Sequence, residues 1–471
     1  MSDTLEFNSA HYQVKTLELK GSSITYRSFC DLLYVENPVY PEFQKMNLFV
    51  PEGYYHGETI NGFSAETAPI FFPNAVGAYA AGRADQPGFN FRLWARDQVN
   101  SLFVALQKGF VVAAPASRGR SLQDRQGHFV GCAPAAIVDL KAAVRYLRHN
   151  RGRFPGDTER IISNGTSAGG ALSALLGTTG NCPDYEPYLE KLGAANERDD
   201  IFAASCFCPI MNLEHADMAY EWLLEGLDEF HSLRFHTENG KVIPEPFEGL
   251  LTSAQKDASR ELRQMFISYL NGLDLKDGNG TPLRLGADGL GSFREHLSDL
   301  MRESAQTALD HGRDLSGCPN LHIEEGKAVT FHLDGHVKAA GRMKPVPAFD
   351  DWENTSAENE LFGTAASQFQ HFTKYGLTHD TGGGSLAQPE LVRMMNPMEY
   401  LDGKTSDTAG HWRIRHGSLD CHTSWAIPLI FAEKLKQYGK NVDFQFAWGK
   451  EHCGDYNMEQ MFAWMKDVAL Q

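Results

Sequence analysis

Between Arg160 and Leu176 the chain changes character twice within a few residues. Arg160 to Ser163 reads as a strand, Asn164-Gly165-Thr166-Ser167-Ala168-Gly169-Gly170 as a turn, and Ala171 to Leu176 as a helix of small residues. Gly165 to Gly169 fits G-x-S-x-G. A strand that bends directly into a helix, with glycine where a side chain would clash, lifts a serine hydroxyl above the end of a sheet. The plain alternative is a glycine-rich turn with a helix-capping serine; the strand before and the helix after favour Ser167 as a nucleophile. Such an elbow needs a parallel sheet with helices on both faces.

The remaining sequence supplies that sheet. From residue 45 short apolar strands alternate with helical stretches: Met46 to Val50, Pro69 to Phe72, Phe110 to Ala114, the elbow strand, and Ile201 to Cys208. Residues 12–27 read as an antiparallel edge. Pro134 to Arg148 places Ile137, Leu140, Ala143, Val144 and Leu147 at helical spacing with charges between them, which predicts an amphipathic crossover helix. From Asn212 to Met395 the alternation stops, giving helices over 218–230, 253–270 and 291–310, glycine-rich turns and one hairpin. It resumes with a strand from His411 to His416, a helix from Thr423 to Gln437, a strand from Val442 to Trp448 and a helix from Met458 to Leu470. The expected organisation is an α/β core of residues 1–211 and 396–471, with a mostly parallel sheet, and an inserted lid domain of residues 212–395.

A nucleophilic serine needs a base and an orienting acid, in the chain order Ser, Asp or Glu, His for this architecture. Asp420 follows the strand ending at His416-Gly417, and His452 follows the strand ending at Trp448-Gly449. Both therefore belong to loops leaving the same sheet edge as Ser167. Asp402 and Asp455 compete for the role of the acid. A tetrahedral intermediate needs two backbone N–H donors, expected from Ala168, directly after the serine, and from Gly77 in the loop after the strand at 69–72. His332-Leu333-Asp334-Gly335-His336 offers metal-type ligands, but Asp-Gly between Val329-Thr330-Phe331 and Val337-Lys338 reads better as a hairpin turn. No metal and no cofactor are expected.

Forty-three Lys and Arg against 60 Asp and Glu leave a net charge of −17, which disfavours nucleic acid and anionic membranes as partners. The stretch Met1 to Glu6 has no basic or apolar leader character, and no apolar run spans a bilayer. Eight cysteines without paired C-x-x-C spacing fit a reduced, cytoplasmic protein.

The elbow, the stretch Pro115 to Arg120, Asn396-Pro397-Met398 and His452-Cys453-Gly454-Asp455-Tyr456 together resemble the bacterial tannase-type α/β-hydrolases, nearly end to end. The resemblance implies a lid between the sixth and seventh core strands, hydrolysis of galloyl esters, and a triad of Ser167, Asp420 and His452. It further implies that Lys344 and Glu358 hold ring hydroxyls of the substrate; a solvated lid ion pair is the alternative. The family's third hydroxyl-binding residue, an aspartate, is here His422. A neutral imidazole offers one acceptor and one donor where a carboxylate accepts two phenolic protons, so this contact is weakened or replaced. Cys421 and Cys453 follow the acid and the base and so lie on neighbouring loops, where two free thiols are expected in a reducing compartment. The expected activity is that of a serine esterase acting on small hydroxylated aromatic esters. Hydroxycinnamoyl esters or general carboxylesters come second, and a non-catalytic small-molecule binder third.

Overall fold

The computed structural model describes residues 5–90, 97–238, 241–401 and 403–471. Met1 to Thr4, on which part of the leader expectation rests, and Asp402, a competitor for the acid, lie outside them. Along the chain run β1 (Gln13–Leu19), β2 (Ser22–Leu33), β3 (Lys45–Pro51), β4 (Pro69–Pro73), α1 (Ser101–Gln107), β5 (Val111–Pro115), α2 (Ala135–His149), β6 (Asp157–Thr166), α3 (Ala168–Thr178), α4 (Glu186–Leu192) and β7 (Ala203–Phe207). The next segment holds α5 (Ala216–Leu224), β8 (Glu229–Glu238), β9 (Lys241–Leu250), α6 (Ser253–Gly272), α7 (Ser292–Asp310), β10 (Leu321–Glu324), β11 (Lys327–Phe331), α8 (Leu333–Ala340), α9 (Ala357–Leu361), α10 (Lys374–Thr378) and α11 (Pro389–Met394). Last come β12 (His411–Gly417), α12 (Ala426–Gln437), β13 (Asn441–Ala447) and α13 (Met458–Ala469).

Nine strands form one sheet in the order β1-β2-β3-β5-β4-β6-β7-β12-β13. The first three pair antiparallel, as does β3 with β5, and from β5 onward every pairing is parallel. The parallel strands carry unbroken apolar runs, Ile70-Phe71-Phe72 and Val111-Val112-Ala113-Ala114 among them, because helices cover both faces. The chain steps from β4 outward to β5 and then returns to the other side of β4 with β6. This leaves a crevice beyond the carboxyl ends of β4 and β6, which is where ligands of open parallel sheets bind.

Two readings of the sequence are corrected here. The helix expected over 218–230 ends at Leu224, because Gly226 takes the left-handed conformation (φ 88) that stops a helix, and β8 begins at Glu229. The hairpin expected at Asp334-Gly335 turns instead at Glu325-Gly326, both with positive φ, joining β10 to β11. Asp334 and Gly335 lie in α8, where Leu333, His336 and Val337 share the buried face at helical spacing. With β8 and β9 there are two hairpins in this region where one was expected. His332 and Asp334 are exposed, while His336 is buried with Nε2 2.8 Å from the Ser418 carbonyl, so the motif does not converge on one point.

Helix α2 also departs from expectation. Only its last residue escapes burial, so the charges between its apolar positions face protein rather than water. Each finds a partner: Asp139 meets Arg118 at 2.7 Å, Lys141 meets Asp199 at 2.7 Å, and Arg145 meets both Asp199 and Glu186.

Residues 212–395 add no strand to the central sheet, yet Phe266, Leu297 and Met301 belong to the same continuous apolar cluster as the sheet residues. Helix α7 is tied down by Ser304, whose hydroxyl donates to the Phe446 carbonyl of β13 at 2.7 Å. Residue by residue, the closest packing is at the elbow. A Cβ on Gly165 would stand 2.2 Å from the Gly169 carbonyl and 2.7 Å from the Asn74 amide nitrogen. Gly165→Ala is therefore expected to destabilise the fold by at least about 1–3 kcal/mol, read from the midpoint of urea unfolding at unchanged slope.

Candidate active site

Ser167 stands between β6 and α3 with φ 63 and ψ −125, a conformation that costs a non-glycine residue energy and survives only when its surroundings enforce it. The enforcement is visible. The Ser167 amide donates to the Phe207 carbonyl at 2.9 Å, and its carbonyl accepts from Ala171 at 3.0 Å and Ile210 at 3.2 Å. The turn after β4 approaches so closely that a Cβ on Gly169 would lie 2.6 Å from Asn74 Oδ1 and 2.8 Å from the Val76 carbonyl. Asn74 bonds across the gap, its amide donating to the Gly169 carbonyl at 3.0 Å and to Ser173 at 3.2 Å. This residue was not singled out from sequence; a lone asparagine after a strand carries no readable signal.

Ala168 is the first residue of α3, and a helix leaves its first N–H groups without intrahelical acceptors. Gly77 is exposed on the turn after β4, where Ala78 and Tyr79 take positive φ and Ala80 donates to the Gly77 carbonyl at 2.9 Å. Tyr79 pins this turn by donating to the Ile210 carbonyl at 2.7 Å. Both expected oxyanion donors thus flank the crevice between β4 and β6.

The loops after β12 and β13 are stitched to each other and to the elbow. Ser418 donates its amide to Ala447 at 3.0 Å and accepts from Gly449 through its hydroxyl at 2.8 Å, while Leu419 donates to Lys450 at 2.9 Å. The structure brings Asp420 and His452 together: the His452 Nδ1–H donates to Asp420 Oδ2 at 2.8 Å. The loop then passes against the residue before Ser167, so closely that a Cβ on Gly454 would overlap the Thr166 hydroxyl. Asp455, the other competitor for the acid, is engaged elsewhere, accepting from Asn164 at 3.0 Å and Ser101 at 2.9 Å. It fastens the His452 loop to the elbow strand.

Burial opposes ionisation of Asp420, but the His452 and His416 imidazoles beside it outweigh that penalty and hold its carboxyl well below the usual carboxylate range. His416 is fully buried with Nε2 3.5 Å from Asp420 Oδ2; burial depresses its pKa to about 4. His422 stacks on His452, the ring centroids 4.1 Å apart and the planes 16° from parallel. Burial, with His452 adding to it, brings His422 down to about 3, so it faces the site as a neutral ring. Its backbone amide donates to Asp420 Oδ1 at 2.9 Å. Neither Cys421 nor Cys453 is in a disulfide.

Lys344 and Glu358 reach this site from the inserted segment without pairing directly with each other. Lys344 Nζ lies 3.6 Å from the Phe349 ring centroid, and burial lowers its pKa against the pull of the Glu358, Asp217 and Asp420 charges. Glu358 is buried on α9, a helix started by a capping box between Ser356 and Asn359, and its carboxylate meets no hydrogen-bond or ion-pair partner among the described residues.

Sequence reasoning missed what holds Lys344 in place. One face of α5 binds the segment 342–350: Asp217 accepts from the amides of Ala348, Phe349 and Asp350 at 2.7–3.0 Å, and Glu221 makes a buried two-point pair with Arg342 at 2.8 and 2.6 Å. Between them the Tyr220 hydroxyl accepts from the amides of Met343 and Lys344, each at 3.2 Å, and donates to the Cys421 carbonyl at 2.9 Å. The i, i+3, i+4 spacing of Asp217, Tyr220 and Glu221 was legible as a helix face, but its polar partners lie more than a hundred residues away.

The family model described as BD-FAE matches residues 95–218. Esterase LipQ of Mycobacterium tuberculosis is 32% identical over 97 residues, which is 21% of this chain and 22% of that esterase. Among solved structures, tannase from Lactobacillus plantarum superposes with a TM-score of 0.95 at 43% identity, covering 99% of this chain and 100% of that one. Fusobacterium nucleatum tannase gives 0.94 at 44% identity, covering 99% of both chains. A tannin acyl hydrolase in complex with ethyl gallate gives 0.92 at 42%, again over 99% of each. An elbow serine at the switch point of a mostly parallel sheet, with these relatives, places the chain among the α/β-hydrolases that cleave carboxylic esters. Within that class the chain belongs to the bacterial tannase family.

Tyr220→Phe keeps the ring and removes the oxygen shared by three backbone groups. It is expected to cost about 1–3 kcal/mol in urea unfolding. Amide hydrogen exchange at Met343 and Lys344 should accelerate while exchange in β6 stays unchanged.

Proposed function

We propose that this chain hydrolyses galloyl esters, and related esters of hydroxylated aromatic acids, through a seryl acyl-enzyme on Ser167. The observation that carries the reading is the 2.8 Å His452–Asp420 hydrogen bond on loops packed against the elbow of Ser167. With Nδ1–H held by an ionised Asp420, the His452 lone pair is on Nε2 and accepts the serine proton as Oγ attacks the ester carbonyl. The oxyanion is stabilised by the N–H groups of Ala168 and Gly77. The imidazolium then protonates the leaving alkoxide. A water molecule, deprotonated by the same imidazole, releases the acid.

The substrate class follows from Lys344 and Glu358. A buried carboxylate without a protein partner is costly unless a ligand supplies donors, and the hydroxyls of a galloyl ring supply them. Lys344, half-buried against Phe349, donates to the ring oxygens. The tannin acyl hydrolase that binds ethyl gallate is similar to this chain over its whole length, which supports the assignment. Residues 212–395, which carry both side chains, act as the lid over the acyl site. The eight cysteines, none of them in a disulfide, support work in a reducing compartment such as the cytoplasm.

Ser167→Ala is expected to lower hydrolysis of methyl gallate by at least about 10³-fold with the fold intact by circular dichroism; near-native turnover overturns the assignment. Glu358→Ala should reduce discrimination between methyl gallate and methyl benzoate by about 1–3 kcal/mol in kcat/KM. His422, being neutral, offers the ring fewer acceptors than an aspartate. His422→Asp should therefore raise the preference for gallate over protocatechuate esters, and an unchanged ratio removes position 422 from ring recognition.

A further inference from the structure

Cys208 is the residue directly after β7, turned by a φ of 34, with its amide donating to the Arg415 carbonyl at 2.7 Å and its thiol donating to the Cys453 carbonyl at 3.3 Å. This places sulfur behind the acid and the base. The Cys208 thiol, a carboxylate oxygen of Asp420 and a ring nitrogen of His452 all lie within 4.8 Å of one another, the one such grouping of ligand atoms among the described residues. A tetrahedral zinc ion holds sulfur at about 2.3 Å and nitrogen or oxygen at about 2.0–2.2 Å, so its ligand atoms stand about 3.4–3.6 Å apart. Movements of about an ångström close this set around a metal. One thiolate, one imidazole and one carboxylate suit zinc or cadmium and suit magnesium or calcium poorly. Ester hydrolysis by the serine route has no use for the thiol.

We propose that Cys208, His452 and Asp420 form a capture site for a thiophilic divalent cation, and that its occupation reversibly switches the esterase off. On binding, Cys208 loses its proton to solvent and the sulfur lone pair forms the metal bond; no oxidation state changes. A ring nitrogen of His452 supplies the second bond and Asp420 the third. Either choice of nitrogen abolishes base catalysis. If Nε2 binds the metal, the lone pair that accepts the Ser167 proton is consumed; if Nδ1 binds it, the ring proton moves to Nε2 and blocks the same lone pair. When Nδ1 is the ligand, Asp420 gives up its bond from Nδ1–H and keeps its amide contact from His422. The inference rests on the triad reading, whose own failure is recognised separately by an active Ser167→Ala enzyme.

The test follows hydrolysis of p-nitrophenyl acetate, which does not chelate metals, by the full-length enzyme during zinc titration. Zinc is expected to inhibit the wild type and EDTA to restore it. Cys208→Ser and Cys208→Ala should keep activity within about twofold without metal and need at least about tenfold more zinc for half inhibition. A wild type indifferent to about 1 mM zinc, or variants inhibited at the same concentration, overturns the proposal. Cadmium provides a readout that does not depend on replacing Cys208. One equivalent added to Ser167→Ala protein should raise a thiolate-to-cadmium charge-transfer band that His452→Ala abolishes, and a band that survives His452→Ala also overturns the site.

Discussion

Everything that happens at this site depends on the close approach of two backbones, the turn after β4 and the elbow after β6. With carbonyls and the Asn74 amide standing where a Cβ on Gly165 or Gly169 would be, the two strand ends cannot separate or slide without breaking the bonds Asn74 makes across them. The contact holds Ser167 in a conformation it would not otherwise keep. Strain at Ser167 is thus carried by the packing of its neighbours rather than by the serine itself.

Helix α5 does for the segment around Lys344 what the turn after β4 does for the elbow. Asp217, Tyr220 and Glu221 occupy one face and use their oxygens on the segment from Arg342 to Asp350, so Lys344 and the Phe349 ring beneath it are fixed from the rear. Tyr220 links this segment to Cys421, which lies between the acid and His422. The Tyr220 hydroxyl is thus one of the links between the inserted segment and the core loop, beside the bond from His336 to the Ser418 carbonyl. A shift of one moves the other.

Asp420 is the electrostatic centre of the arrangement. Three imidazoles surround it: His452 hydrogen-bonded, His416 buried behind, and His422 stacked on His452. Burial favours the neutral form of His416 and His422, while Asp420 accepts from the His452 ring and from the His422 backbone amide.

The parallel core, the elbow and the placing of Asp420 and His452 at one sheet edge were legible in the chain alone, because strand–helix alternation, glycine spacing and chain order can be read without knowing what packs on what. A net charge of −17 also weighs against nucleic acid as a partner. Only tertiary structure decided that α2 is buried on nearly every side, that Asp334-Gly335 is helical rather than a hairpin turn, and that Asp455 fastens a loop instead of orienting a base. In each case the deciding partner is remote: Asp199 for Lys141, the Ser418 carbonyl for His336, and Asn164 for Asp455. Such pairings carry no spacing that a reader of the chain can follow, because the groups that satisfy a buried charge are chosen by which surfaces meet in space, and that is fixed only when the whole sheet has closed over its helices.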